Sequence, residues 1–216
     1  MEHYFTNNQN LKSEIRKIPF SYNGYEFTFL SDNGVFAKNK IDYASKLLVD
    51  NFLKFHQDAK EKKVLDVGCG YGFIGVVIGK ITNNFVDMID VNKRAIHLAD
   101  ENINLNKVNG KVFLSDTYEN VDDKYDYIIT NPPIRAGKKV VLKILKNAKD
   151  YLNKDGELWF VINKDHGAKS IKKEIDECLN IECIDKSKGF YVFQAKSVDK
   201  WFLLFYNFKL VTYLFF

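Results

Sequence analysis

The sequence predicts an α/β fold: a seven-stranded, mostly parallel sheet with helices on both faces, one antiparallel C-terminal strand, and a small N-terminal hairpin and helix ahead of it. Three observations lead there. From Lys63 onward, short apolar runs alternate with segments of helical spacing, the pattern of repeated strand–helix–strand units. The first of those runs opens into a glycine-rich loop before the next helix. Upstream, Asn23-Gly24 sits between alternating aromatic residues, which is the chemistry of a tight hairpin turn.

In chain order, Phe20 to Leu30 forms the hairpin, because both central residues of such a turn need positive φ and Asn-Gly supplies them. Ser31-Asp32-Asn33-Gly34 is a turn. Ile41 to Phe55 places Ile41, Ala44, Leu47, Leu48, Phe52 and Phe55 on one helical face. Val64 to Val67 is a buried strand, followed by the glycine loop and a helix to about Ile81. Phe85–Asp90 is a strand and Lys93–Asn106 a helix; Lys111–Ser115 and Tyr125–Thr130 are strands. Lys138–Leu152 is a helix, Glu157–Ile162 a strand and Ala168–Leu179 a helix. Ile181–Asp185 and Phe190–Ala195 finish the sheet as a strand–turn–strand, which makes one strand antiparallel. The expected organisation is a lead-in over residues 1–60, a Rossmann-like domain over 61–198 and an apolar tail over 199–216. In such sheets a ligand sits at the carboxyl ends of the strands.

The glycine loop runs from Asp66 through Gly68, Gly70 and Gly72 to Gly75. On its own it is a tight strand-to-helix turn. Two details narrow what it would hold. A dinucleotide fingerprint needs its third glycine where this chain has Phe73. Asp66 stands just ahead of the loop, where a carboxylate repels a pyrophosphate but tolerates a ligand with ammonium and sulfonium groups, such as S-adenosylmethionine. Asp90 ends the next strand and can accept from ribose hydroxyls. Asp116 follows the third and can accept from an adenine amino group. Each aspartate alone also suits a helix cap or turn; their recurrence at successive strand ends points to a ligand.

Asn131-Pro132-Pro133 directly follows the apolar run Tyr127-Ile128-Ile129. Two prolines remove two N–H donors, so the segment becomes a set of acceptors, with the Asn131 side-chain oxygen among them. An exocyclic amine offers two N–H donors and a lone pair delocalised into its ring. Acceptors that hold both hydrogens fix the amine and aim the lone pair, which is catalysis by positioning and electrostatics.

These residues resemble the class I methyltransferases. The match is to DVGCGYGFIG, to Asp90 within MIDVN, and to TNPPIRAGKK after the fourth strand. The closest resemblance is to the methyltransferase small domain group, which includes small-subunit ribosomal RNA guanine-N2 methyltransferases. SDNGVFAKNKIDYASKLL is similar to the Gly-Val-Phe segment and helix that those enzymes carry ahead of the cofactor loop. The resemblance spans residues 20–198. It implies S-adenosylmethionine as cofactor, held by Asp66, Gly68, Gly70, Asp90 and Asp116 with Asn131 beside it. It implies Asn131, Pro132 and Pro133 as the catalytic segment, with Phe36, Ile134 and Arg135 at the substrate. One departure is Ile134, where many amino-methylating relatives have an aromatic that stacks on the flipped base; Phe36 or Tyr71 would then supply the ring. The extra N-terminal domain of the larger members is not expected here.

Composition bounds the rest. Hydrophobic residues at 46% and charged residues at 28% are ordinary for a globular chain, and a net charge of +4 permits a nucleic-acid partner without demanding one. Only Arg16, Arg94 and Arg135 are arginines, and Arg135 stands beside the Asn-Pro-Pro segment, where it can meet a phosphate. The lysines of residues 138–149 read as a solvated helix face, Trp159 as core and Cys69 as an unreactive loop residue. Three scattered cysteines give no disulfide framework and no metal spacing, so a cytoplasmic protein without a metal is expected. The run from Trp201 to Phe216 is too short and interrupted to span a bilayer, and no functional role is assigned to it. The partner expected is ribosomal RNA or a ribosomal subunit. A protein glutamine or another amine as acceptor, or a cofactor-binding module without catalysis, fits the same residues.

Overall fold

The computed structural model describes residues 11–197. The apolar run from Trp201 lies outside the described residues. Strands β1 (Arg16–Tyr22) and β2 (Tyr25–Ser31) form the N-terminal hairpin, and α1 (Tyr43–His56) follows. The alternating part is β3 (Lys63–Val67), α2 (Phe73–Thr82), β4 (Phe85–Asp90), α3 (Lys93–Leu105), β5 (Gly110–Leu114) and β6 (Tyr125–Thr130). It continues with α4 (Lys138–Asn147), β7 (Leu152–Asn163), α5 (Ala168–Ile175), β8 (Leu179–Ser187) and β9 (Phe190–Ser197). The seven-stranded sheet has the order β5-β4-β3-β6-β7-β9-β8. Strands β3 to β7 pair in parallel, and β9 is antiparallel to both of its neighbours. The predicted architecture is the observed one.

The two sheet faces carry separate cores. The hairpin, α1, α2 and α3 cover one face, where Phe52 and Trp159, both 0% exposed, meet edge to face at 5.6 Å. Helices α4 and α5 cover the other with Val141, Ile144, Leu145, Ile171 and Ile175. Trp159 is therefore core, as expected. Its indole N–H donates to Glu157, which also meets His56 at 2.8 Å and Lys196 at 2.9 Å.

The hairpin is attached by an unusual device. Asn102 near the end of α3 and Asn106, which caps it, lie about one turn apart and are buried. The amide of Asn102 accepts from Leu30 N–H (2.7 Å) and donates to Leu30 C=O (2.9 Å); Asn106 does the same with Thr28 (3.1 and 2.9 Å). Two side chains thus stand in for a neighbouring strand and satisfy the backbone of β2, which would otherwise be an open edge. Asn102 also donates to the carbonyl of Tyr71 at 2.8 Å, which ties the hairpin to the glycine loop. The hairpin turn has Asn23 at φ 48° and Gly24 at φ 80°, as an Asn-Gly turn requires. Lys188 at φ 47° and Gly189 at φ 81° make the same kind of turn between β8 and β9.

Some boundaries differ from the sequence reading. The helix expected over Lys138–Leu152 ends at Asn147, and a 3₁₀ turn over Ala148–Asp150 leads straight into β7. That strand begins at Leu152, not Glu157, because buried Leu152 pairs with Tyr125 before the register shifts. Asn153-Lys154-Asp155-Gly156 resembles a loop in sequence but is an irregularity inside the strand. A side chain at Gly156 would sit 3.0 Å from the carbonyls of Asn153 and Tyr125. The last helix ends at Ile175 because Cys178 N–H turns back to Ile175 C=O and Leu179 enters β8 opposite Ser197.

Candidate active site

A cavity of about 370 Å³ opens at the carboxyl ends of β3 to β7. Its volume is in the range of small-molecule sites. The glycine loop forms its floor. The N–H groups of Gly68 and Cys69 both donate to Ile89 C=O, and Gly70 N–H donates to Asp90 Oδ2 at 2.9 Å. Gly70 has φ +56°, and a Cβ built there would meet no atom within 4 Å. Its glycine is thus required by backbone conformation, and the space above it belongs to the cavity. Phe73 begins α2 and packs against Phe20 at 5.2 Å and Phe29 at 5.5 Å. The residue that breaks the dinucleotide fingerprint is there to seat the hairpin.

Asp66 does not reach the cavity wall. It lies beneath the loop, 1% exposed, with Oδ2 accepting from Gly75 N–H at 2.9 Å and Oδ1 buried without a partner among the described residues. Burial pushes its carboxyl up to about 7; the Gly75 N–H opposes that and the nearby Asp90 adds to it. The folded state therefore holds a proton that the unfolded chain releases near 3.8. The linked stability is full below that pH and is lost as pH rises toward about 7. Asp66→Asn should abolish this component. In thermal melts of the ligand-free protein, the variant should gain on the parent as pH rises from about 4 to about 7. Parallel melting curves across that range would refute the assignment.

Asp90 does line the cavity, with Oδ1 taking the Asn92 N–H at 2.9 Å and Oδ2 that of Gly70. Burial raises its carboxyl above the usual value against those two donors. Both oxygens keep further lone pairs. Asp116 lines the cavity from the loop after β5 and is exposed, 3.6 Å from Lys143 Nζ. Cys69 is buried, and burial, then Asp90 and Asp66, push its thiol well up, so it is no nucleophile at neutral pH.

Asn131, Pro132 and Pro133 line the cavity at the end of β6, the strand next to β3. The amide nitrogen of Asn131 donates to Asp42 Oδ2 at 3.1 Å and to Ser45 Oγ at 2.9 Å. An ionised carboxylate can only accept, so the amide is held nitrogen-inward. Its oxygen takes no hydrogen bond among the described residues and is left for the cavity. The Pro133 carbonyl is already used by Ala136 N–H at 2.9 Å, which closes the 3₁₀ turn Ile134–Ala136. Of the carbonyls in this segment, those of Asn131 and Pro132 remain acceptors without an internal partner among the described residues.

Phe36, 39% exposed, also lines the cavity, as do Ile134 and Arg135. Ile134 packs against the α4 core as well. Arg135 is exposed and has no ion pair among the described residues, whereas Arg16 pairs with Glu14 and Arg94 with Asp32. The structure adds residues that the sequence reading missed. Asp42 caps α1 by accepting from Ser45 N–H at 2.8 Å and also reaches Asn131; an aspartate immediately before a helix was the available signal. Phe190 and His166 line the far wall, brought there only by the sheet order, and no local signal marks them. The lysines of α4 are largely engaged: Lys138 with Glu174, Lys143 with Glu119, and Lys146 with Glu174 and Glu177. No group of side chains with metal-ligand geometry occurs among the described residues, and none of their helices is long and apolar enough to cross a membrane.

Comparison with known proteins shows the family. A relative from Bacillus subtilis, YbxB, is 41% identical over 202 residues, which is 91% of this chain and 99% of that one. The ribosomal RNA small subunit methyltransferase C of Colwellia psychrerythraea is 31% identical over 192 residues, 87% of this chain but 52% of the relative. The chain thus spans nearly all of the first and about half of the second. Among solved structures, the T. thermophilus 16S rRNA N2 guanine methyltransferase in complex with AdoMet and guanosine superposes with a TM-score of 0.78. The match is at 22% identity over 87% of this chain and 52% of that one. The methyltransferase small domain profile matches residues 26–194, from the second hairpin strand to the last strand of the sheet, and the chain belongs to that family.

Proposed function

We propose that the chain is an S-adenosylmethionine-dependent N-methyltransferase that modifies the exocyclic N2 amine of a guanine in small-subunit ribosomal RNA. The observation that carries this reading is the clamped Asn131 amide, whose nitrogen is tied back to Asp42 and Ser45 while its oxygen is left toward the cavity. An amine substrate needs such an acceptor. The relatives named above support the substrate class.

The residues present fit the cofactor. The open space over Gly70 receives a ligand without a Cβ in the way, and Asp90 accepts from ribose hydroxyls. Asp116 accepts from the adenine amino group. The carboxyl groups of Asp90 and Asp116 on the cavity wall suit a cationic ligand and disfavour a pyrophosphate. When bound, the cofactor supplies an electrophilic methyl group on a sulfonium centre. Asn131 Oδ1 and the Pro132 carbonyl take the two hydrogens of the target amine and orient its lone pair. Pro133 contributes rigidity in place of an acceptor, because its carbonyl is occupied by Ala136. Phe36 and Ile134 flank the base, and Arg135 meets a neighbouring phosphate.

The test is methyl transfer from tritiated S-adenosylmethionine to RNA and protein fractions of cells lacking the gene, with the RNA digested to nucleosides. Label recovered as N2-methylguanosine from small-subunit RNA is the expected result. Label confined to protein would make the chain a protein-amine methyltransferase, and uptake of the cofactor with no transfer would make it a binding module.

A further inference from the structure

The far wall of the cavity carries a second feature, which the reaction itself does not use. The tip of the β8–β9 hairpin, Lys186-Ser187-Lys188-Gly189, stands next to Phe190, a cavity-lining residue. Lys188 Nζ sits 4.7 Å over the ring of Tyr43, and Lys186 Nζ sits 5.2 Å over the ring of Tyr191. Tyr43 in turn bonds Ser187 Oγ through its hydroxyl at 2.8 Å and packs on Phe190 at 5.8 Å. Tyr43 is also the first residue of α1, next to the Asp42 that holds Asn131. Lys164 completes the group. Its N–H donates to Gly189 C=O at 2.7 Å, and its side-chain carbons lie against Gly189. His166, two residues on, lines the cavity.

Two lysines of the tip are therefore held over rings, and Lys164, in the turn after β7, packs against the same tip beside the site. None of the three has an ion pair among the described residues. The acid nearest Lys186 and Lys188 in sequence, Asp185, is already engaged by Asn51 at 2.9 Å and by the Lys186 N–H at 2.7 Å, and the exposed Asp165 that follows Lys164 forms no ion pair with it among the described residues. The α4 lysines are the contrast, since acidic neighbours neutralise most of them. Fixed, unneutralised cations beside a pocket seek an anion outside the protein. Lys186 and Lys188, held over rings, also give up less freedom on binding.

We propose that Lys164, Lys186 and Lys188 form a phosphate-binding ridge that grips the RNA strand on one side of the target nucleotide, opposite Arg135. This rests on the RNA reading above. The ridge positions the backbone and carries no base specificity.

The test compares the intact protein with a Lys164→Gln, Lys186→Gln, Lys188→Gln triple variant on transcribed small-subunit ribosomal RNA. A Lys138→Gln, Lys146→Gln variant is the control for loss of ion-paired lysines. Removing three phosphate contacts should flatten the slope of log affinity against log salt by about 2 and raise KM for RNA at least about tenfold at physiological salt. The maximal rate, the affinity for S-adenosylmethionine and the slope of the control variant should not change. An unchanged salt slope and KM in the triple variant, with the parent active on RNA, would overturn the ridge and leave the RNA reading intact. A parent that neither binds nor methylates RNA would overturn both. Equal salt-dependent binding of the parent to polyglutamate would overturn the ridge in favour of an acidic protein partner.

Discussion

Replacing Asn131 with alanine is expected to lower the maximal rate of methyl transfer by about 10²–10³-fold and leave S-adenosylmethionine affinity within about twofold. The size follows from removing one preorganised polar group aimed at a reacting centre, which costs about that much in other enzymes. The selectivity follows from the geometry. Asn131 is held by Asp42 and Ser45 and takes no bond from the glycine loop, whose own bonds run to Ile89 and Asp90. A companion substitution separates orientation from mere presence. Asp42→Asn keeps a good helix cap, so α1 should keep its stability. It replaces an acceptor-only carboxylate with an amide that can face Asn131 either way, so the Asn131 oxygen is no longer directed to the cavity. The rate should fall by about tenfold, with the thermal midpoint and cofactor affinity unchanged. A melting temperature that drops together with the rate would reduce Asp42 to a structural cap. Full activity in Asn131→Ala would remove the amine grip from the mechanism altogether.

Much of this was legible in the residues, for identifiable reasons. The parallel sheet was, because its strands are buried on both faces and stand out as apolar runs such as Val64–Val67 and Tyr127–Thr130. The hairpin was, because Asn-Gly has few other uses between aromatic runs. Phe36, Gly68, Gly70, Asp90, Asp116 and Asn131 through Arg135 reach one cavity because each sits at the end of a strand or in a neighbouring loop. Asp66 was read as a ligand contact from its place before the loop. The fold instead turns it under the loop to brace Gly75, since the alternation of side chains along β3 sends it away from the opening. The Pro133 carbonyl is turned inward for a similarly local reason: a 3₁₀ turn after the second proline uses it to accept from Ala136 N–H. The boundaries that shifted, at Asn147, Leu152 and Ile175, are those where helical spacing continues past the point at which strand pairing takes over. The tip of the β8–β9 hairpin could not be placed at the site from sequence. That requires knowing that β9 inserts between β7 and β8 and so carries Phe190 up to the cavity.

The second large effect is expected at the cavity floor. Gly70→Ala should raise the dissociation constant for S-adenosylmethionine by about 10–100-fold, read by calorimetry, the size of forcing a methyl group into a packed contact. Two effects of the substitution must be told apart. A side chain at φ +56° is strained, at about 1–2 kcal/mol. It would also occupy space that no protein atom within 4 Å fills. Gly24 separates these effects, because it too has positive φ, at +80°, and open space around its missing Cβ, yet lies in the hairpin turn away from the cavity. Gly24→Ala should therefore lose a similar amount of stability and bind the cofactor as the parent does. If both variants lose affinity together, strain transmitted through the fold explains the loss. If neither does, the space above Gly70 is solvent and not the cofactor's cradle, and the cofactor's contacts must lie higher on the wall, toward Asp90 and Asp116. Only loss at Gly70 alone makes the glycine a residue selected for what stands above it as well as for the turn it makes.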